Sequence, residues 1–389
     1  MLLSDLASPS LLIEKWRLIS NLDRMQAKAN TNRVRLRPHT KTHKSIDLAR
    51  LQIEKGASGL TVAKLGEAEV YAAAGFEDIR LAYILIGDDK YARVEKLLDT
   101  TRISFCIDTI VGAGAASEYF GSRDIRVDVL IEVDCGYGRC GVPWNLDSSV
   151  AFARDVFEMP GLNVVGILTH AGDSYRGPST PDETPEEALR VASNRERDRM
   201  IEFATTLSNA GLIKPGSGFE LSIGSTPSMA CFENVERDGF TITEIRPGNY
   251  VFNDVIQVGL KVATWNECAL TVLATVISKR RDLDGSERLF LDAGKKVFTS
   301  DLATGIAGFG VMMYNPRAMQ PLPHAEIVGL SEEHGWVKVK GGATLGVGDT
   351  VRVVPNHACV AVNTQRKLYV VDGEEVLDTW TVDTQSCVQ

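Results

Sequence analysis

Val34-Arg35-Leu36-Arg37-Pro38-His39-Thr40-Lys41-Thr42-His43-Lys44 is the stretch on which the reading of this chain turns. A short β-type run, Val34-Arg35-Leu36, gives out at Arg37. Two lysines, two histidines and one arginine then crowd into the eight residues 37–44. Pro38 stiffens the backbone where the run stops. Cations packed this closely lower one another's affinity for protons, which is how a lysine amine becomes a nucleophile near neutral pH. A solvated basic loop has the same composition, so the surroundings have to decide between the two.

Working outward, short β-rich runs alternate with amphipathic helical stretches over the first 250 residues. The strand-like runs are 34–37, 59–62, 79–85, 103–107, 127–133, 163–169, 219–223 and 241–245. Helical segments at 45–55, 64–74, 88–98, 147–157 and 185–210 lie between them. This βα alternation predicts an α/β fold, a (β/α)8 TIM-like barrel in preference to an open doubly wound sheet. A barrel places its chemistry just after the strands, at their C-terminal ends. Lys41 follows the first run, Asp134 to Arg139 the fifth, and His170 the sixth. Gly224-Ser225-Thr226 follows the seventh and Arg246-Pro247-Gly248-Asn249 the eighth. Beyond residue 250 the texture changes to strand-like runs at 269–278, 287–292, 324–330, 335–340, 350–354 and 367–372, separated by turns. The expected organisation is a barrel over 13–249 and a mainly β domain over 250–389, joined by residues 1–12. No tandem repeat or low-complexity tract interrupts it.

Composition fits that picture. The chain has 389 residues, 44% hydrophobic and 24% charged, as in an ordinary globular protein with room for about two domains. A net charge of −9 and a pI near 5.3 argue against nucleic acid as a partner. No apolar run reaches the roughly 18 residues that span a bilayer. The N-terminal segment MLLSDLASPSLLIEKW lacks the basic start and long apolar core of a secretory signal. Seven cysteines, without framework spacing, point to a reducing cytoplasm.

Several motifs carry chemistry. An activated lysine amine can form a Schiff base with a carbonyl compound or with pyridoxal 5'-phosphate (PLP). Ser222-Ile223-Gly224-Ser225-Thr226-Pro227-Ser228 offers hydroxyls and backbone N–H groups after a strand, and Arg246-Pro247-Gly248-Asn249-Tyr250 offers more where glycine permits close approach. Converging turns after strands seven and eight form the phosphate cup common in such barrels; read singly, each is equally an ordinary βα turn. In Glu132-Val133-Asp134-Cys135-Gly136-Tyr137-Gly138-Arg139-Cys140-Gly141, glycines bracket Arg139, which can reach inward to an aromatic nitrogen or a carboxylate, or face solvent. Tyr175 is placed to lie over or beside a cofactor ring, while His170 suits a site or a structural hydrogen bond equally. In Pro355-Asn356-His357-Ala358-Cys359, an extended strand would put imidazole and thiol on one face, where both can grip a cation such as Zn2+ and leave positions open. Glu332-Glu333-His334-Gly335 is a further acid/His cluster, either supporting a metal or an exposed turn. The other cysteines read as inert.

With these residues in view, the chain resembles the D-serine dehydratase and D-threonine aldolase family over nearly its whole length. Arg37-Pro38-His39-Thr40-Lys41 looks like the family's cofactor-lysine motif. The segments EVDCGYGRCGV, THAGDSY, SIGSTPS, RPGNY, LDAG, EEHG and PNHAC follow in family order. The resemblance implies the alanine-racemase-like fold, a PLP-binding barrel followed by a β domain. It implies that Lys41, not Lys44, forms the Schiff base, and that Gly224, Ser225, Thr226, Gly248 and Asn249 contact the phosphate. Arg139 and Tyr175 would stand near the pyridoxal ring, and His357 and Cys359 would bind a divalent metal, Zn2+ before Mn2+ or Mg2+. The aldolase branch tends to carry His-x-Asp and a GGGTGS-like turn, so His-x-Cys and SIGSTPS look more like the dehydratase branch. The segment AVNTQRKLYVV after Cys359 follows neither branch.

The expected activity is therefore that of a PLP- and metal-dependent lyase on D-3-hydroxy-amino acids. β-Elimination to a 2-oxo acid and ammonia is favoured over retro-aldol cleavage to glycine and an aldehyde. An amino-acid racemase would have no use for a metal on a β-hydroxyl, and a non-catalytic PLP carrier would not need the large β domain. A small-molecule D-amino acid substrate, a cytoplasmic location and a homodimer complete the expectation.

Overall fold

The computed structural model describes residues 1–340 and 344–389. It divides into two compact units: Met25–Lys41, Ala49–Gly248 and Cys387–Gln389 form one, and Met1–Arg24, Thr42–Leu48 and Asn249–Ser386 the other.

The first unit is built on a parallel sheet whose strands run, in chain order, Arg35–Leu36, Leu60–Val62, Asp78–Ile84, Arg102–Ile107, Val127–Asp134, Leu162–Leu168, Glu220–Ile223 and Glu244–Ile245. From the second strand to the eighth each pairs with the one that follows it, and the eighth pairs back with the first. Between the first strand and the second, Ser58 N–H donates to Leu36 O at 2.8 Å and Thr61 N–H to Pro38 O at 2.9 Å. Those bonds join the remaining edges, so the sheet curls into a barrel and leaves no open ladder. Helices Ile46–Glu54, Leu65–Ala73, Asp88–Leu98, Ile110–Gly121, Asp147–Phe157 and Pro185–Asn209 make the intervening crossings. Their inward faces meet apolar strand residues, as where Tyr91 packs on Phe105 and Phe120 with all three buried.

The barrel's lumen is not apolar throughout. Arg37, Arg80, Glu220 and Glu244 are buried. Glu244 pairs with Arg37 at 2.7 Å and with Arg80, while Arg80 also pairs with Glu220. Arg37 reaches Asp78 as well, at 2.8 Å. Burial penalises each charge, but the surrounding guanidinium groups of Arg80 and Arg37 outweigh it and hold Glu244 well below the usual carboxylate range. These strand residues form a paired ionic layer within the lumen.

The second unit is mainly β. Its central path runs Gln320–Pro321, Val311–Asn315, Thr350–Val354, Leu270–Arg281, Ser10–Glu14, Lys367–Asp372, Glu375–Thr381. Glu287–Leu291, Gly335–Val339 and Ala325–Leu330 branch from Leu270–Arg281. The N-terminal strand lies mid-sheet, antiparallel to Leu270–Arg281 and parallel to Lys367–Asp372. Leu3, Leu12, Leu273, Val371 and Val376 form one cluster of its core. Short helices Val255–Gly259 and Ala358–Asn363 interrupt what the sequence suggests is nearly all strand. No described helix is long and apolar enough to cross a membrane, and all seven cysteines are free thiols.

Candidate active site

The turns after the barrel strands carry the first group of candidates. Lys41 sits in the one-turn 3-10 helix Thr40–Thr42, directly after the first strand. Its turn is pinned by main chain and side chain together. His39 N–H donates to Pro247 O at 3.0 Å, and Thr40 Oγ1 to Thr61 O at 3.1 Å. Arg37, buried at the base, is held charged by Glu244 and Asp78 in spite of burial. Of the cations in the opening stretch it is therefore a structural ion of the lumen, not a modulator exposed beside the lysine.

His170 follows the sixth strand, its Nδ1 3.4 Å from Gly224 O. Desolvation, then the charges of Lys41 and Arg139, push its imidazole down to about 3. The ring is neutral at any physiological pH, and its response to both cations marks Lys41 and Arg139 as neighbours of His170. Tyr137 is an aromatic packed here: its ring meets His170 edge-on at 5.9 Å. It fills the space a Cβ at Gly172 would occupy, 2.3 Å away. Tyr175 ends the 3-10 turn Gly172–Tyr175 and is half-buried. Arg139 is exposed, 5.7 Å from the Tyr137 ring centroid and 3.6 Å from Glu132, on a loop tied down by Asp134 Oδ1, which accepts from Gly136 and Gly138 N–H.

The turns after strands seven and eight close on each other. Gly224 has φ +121°, and a Cβ there would stand 3.0 Å from Arg246 N. Only glycine permits that approach. Ser225 caps the short helix Thr226–Ala230, and Ser225, Thr226, Gly248 and Asn249 are all buried. This cradle of small residues and hydroxyls fits a phosphate ester. Several expected donors are already engaged, however: Gly224 N–H donates to Glu196 Oε1 at 2.8 Å, Ser225 N–H to Ser228 Oγ at 3.1 Å, and the Ser225 hydroxyl meets those of Ser174 and Ser228. Arg246, also buried, donates to Thr169 O at 2.5 Å and to Ser222, and burial lowers it to about 10.

The second group lies in the β unit. His357 is not on a strand: it is the N-cap of helix Ala358–Asn363, with φ −133° and ψ 102°. The strand argument for pairing His357 with Cys359 therefore falls, because Cys359 belongs to a helical turn. The extended cap residue turns its side chain back onto that first turn instead. Burial opposes charge on His357, but Cys359, Asp254 and Asp301 outweigh it and lift the imidazole to about 10; Cys359 falls below the ordinary thiol value because His357 outweighs burial. His357 Nδ1 is 2.6 Å from Asp301 Oδ2, which leaves Nε2 for another partner. Cys359 Sγ is 3.1 Å from the hydroxyl of Thr42, the residue next to Lys41, and 3.6 Å from Asn249 Nδ2. Asn249 Nδ2 also donates to Asp254 Oδ2 at 2.5 Å, and its buried Oδ1 has no partner among the described residues. The Asn249 side-chain amide thus meets the His357–Cys359 cluster.

An imidazole, a thiol of lowered pKa and an orphaned amide oxygen are a donor set suited to a borderline-soft divalent cation. No group of three or more His, Cys, Asp or Glu that could hold a metal occurs among the described residues. Two protein ligands would leave the remaining positions to water or substrate. Glu332 and Glu333 of the second acid/His cluster are exposed and pair with Lys296, so that cluster is a surface turn. Sequence reasoning missed Glu196, Asp254 and Asp301.

Known proteins share both halves. Residues 13–254 match the family described as "Alanine racemase, N-terminal domain" and residues 269–371 that described as "Putative serine dehydratase domain". D-threo-3-hydroxyaspartate dehydratase of Delftia sp. (strain HT23) is 32% identical, over 97% of each chain. D-threonine aldolase of Arthrobacter sp is 30% identical, over 98% of this chain and 94% of the relative. A cysteine-to-alanine variant of the dehydratase, solved in the metal-free form, superposes with TM-score 0.86 at 30% identity, covering 98% of both chains. A histidine-to-alanine variant has also been solved, altered two positions before that cysteine.

Barrel, lysine turn and β unit together are those of the alanine-racemase-like, fold-type III PLP enzymes. Within that class the chain belongs to the D-serine dehydratase and D-threonine aldolase family, and it is a PLP-dependent lyase.

Proposed function

We propose that this chain is a divalent-metal-dependent dehydratase of D-3-hydroxy-amino acids, releasing ammonia and a 2-oxo acid. The observation that carries the reading is the His357–Cys359 pair, with Thr42, the neighbour of Lys41, against its sulfur. A histidine and a cysteine at the same spacing were altered in the D-threo-3-hydroxyaspartate dehydratase, and the cysteine variant was obtained metal-free.

Lys41 would hold PLP, with the phosphate in the Ser225–Thr226 and Gly248 turns and the ring beside Arg139. His357 and Cys359 would hold the cation, Zn2+ before Mn2+ or Mg2+. PLP supplies an electron sink at Cα, and the metal supplies a Lewis acid for the β-hydroxyl. The chain's own residues do the rest. The Lys41 amine takes the proton from Cα. His170, neutral because of desolvation and the Lys41 and Arg139 charges, adds no further positive charge and can exchange hydrogen bonds without competing for that proton. Elimination follows if the proton leaves Cα; retro-aldol cleavage follows if a base takes the hydroxyl proton instead. Sharing His-x-Cys with the dehydratase favours the first.

Incubation with D-threo-3-hydroxyaspartate and with D-serine, followed by assay of both product pairs, tests this. Ammonia and a 2-oxo acid are expected. Glycine and an aldehyde from the same substrates would establish the aldolase alternative in its place, and no turnover of either substrate would overturn both.

A further inference from the structure

Glu196 belongs to neither of the turns it serves. It stands on helix Pro185–Asn209, 2% exposed. Its Oε1 accepts from Gly224 N–H at 2.8 Å and from Ala171 N–H at 3.2 Å. Gly224 opens the turn after the seventh strand, and Ala171 follows His170 after the sixth. The same two loops meet again where the hydroxyls of Ser174 and Ser225 lie 2.8 Å apart, Ser174 Oγ donating to Ala171 O at 2.7 Å. A single carboxylate oxygen therefore fixes the spacing of two neighbouring loops from below. Oε2 is buried, and the Ser228 side chain, in the same turn as Gly224, favours the charged carboxylate.

The placement is costly for a merely structural tie. A buried carboxyl is costly to desolvate, and here the cost is met by holding two backbone N–H groups that would otherwise lack an acceptor. Both N–H groups belong to residues beside the small-residue cradle, Gly224 opening its turn and Ala171 lying in the loop that meets it at Ser174 and Ser225. The carboxyl that holds these two donors thereby fixes where the Ser225–Thr226 turn stands against the loop after the sixth strand.

We propose that Glu196 is a positioning residue for the phosphate end of the cofactor, setting the Gly224–Ser228 turn against the His170–Tyr175 turn so that the phosphate meets one arrangement of donors. The proposal rests on the reading of Gly224, Ser225 and Thr226 as the phosphate turn. Glu196 touches neither cofactor nor substrate, and its effect should scale with the phosphate alone.

Pyridoxal, which lacks the phosphate, separates that effect from general damage. Dissociation constants of PLP and of pyridoxal would be measured through their visible absorbance on wild type, Glu196→Leu and Glu196→Gln. Loss of the acceptor in Glu196→Leu should weaken PLP by about tenfold or more while pyridoxal changes less than about twofold. Glu196→Gln keeps an acceptor oxygen and should lose only about two- to fivefold, again for PLP alone. Equal losses for the two ligands, or no loss for PLP in either variant, would overturn the proposal. Should Glu196→Leu fail to fold, the Glu196→Gln ratio decides by the same criterion. If wild type itself does not prefer PLP to pyridoxal, the phosphate-turn reading fails; if that preference is present and the variants keep it, only the role of Glu196 falls.

Discussion

Glu244 and Glu196 are both buried glutamates of one barrel, yet their environments drive them in opposite directions. Glu244 is held below the ordinary carboxylate range because Arg80 and Arg37 outweigh its burial. Its stabilising contribution is complete above the unfolded value of 4.5 and fades as pH falls through the depressed folded value. Glu196 is pushed up to about 7, first by burial, with the Gly224 N–H pulling the other way. A raised carboxyl has the reverse sign: its contribution is complete below 4.5 and is lost as pH rises through about 7. Denaturant titrations should therefore show Glu196→Gln gaining on wild type between those limits, by up to about 3 kcal/mol. A difference that stays constant with pH would show that Glu196 does not titrate in that range. Glu244→Leu leaves two buried guanidinium groups short of a partner and should cost about 3–5 kcal/mol in the same assay. A loss under 1 kcal/mol would mean that Arg37 and Arg80 are satisfied by Asp78 and Glu220 alone.

Helix Pro185–Asn209 carries Glu196 into place, and its start is written locally. Thr184 Oγ1 accepts from Glu187 N–H at 3.2 Å, Glu187 Oε2 accepts from Thr184 N–H at 2.8 Å, and Pro185 fills the first helical position. Thr184→Ala should lower stability by about 1 kcal/mol. Glu196 lies more than three turns further on, so PLP affinity should not change; a parallel fall in affinity would show that fraying reaches the site. This helix is legible in the sequence because its cap and period agree. Helix Ile110–Gly121 is not, since IVGAGAASEYFG is rich in small residues and shows no apolar stripe. Lys41 and the turns proposed for the phosphate could be picked out because strand ends mark where barrel chemistry falls, and the His-x-Cys pair because imidazole and thiol are metal-type donors. Glu196 could not: within Arg195-Glu196-Arg197-Asp198-Arg199 it looks like one more charge on a solvated face. Nor could the lumen's ion pairs, because Arg37, Arg80, Glu220 and Glu244 come from strands distant in sequence and acquire partners only when the barrel closes. His357 misled for a different reason. An extended residue before a helix looks, in sequence, just like a strand.

At the scale of the whole molecule, the residues proposed for the two cofactors divide between the two compact units: Lys41 and Gly224 to Gly248 in one, Asn249, Asp301, His357 and Cys359 in the other. Removing one group should therefore not remove the other. Lys41→Ala should abolish the visible absorbance of bound PLP and leave metal content per chain unchanged, whereas Lys44→Ala should keep the absorbance. Asp301 gives the converse. With its Oδ2 2.6 Å from Nδ1, it fixes the His357 ring so that Nε2 would be the nitrogen left to coordinate the proposed metal. Asp301→Ala should weaken metal binding by about 10–100-fold, measured against a chromophoric chelator, with the PLP absorbance intact. Chelation of the wild-type enzyme should likewise stop elimination without bleaching that absorbance. Loss of PLP on chelation would tie the two groups together and refute independent holding. Turnover that survives complete metal removal would refute the metal's part in the reaction and leave Lys41 and PLP to carry it alone.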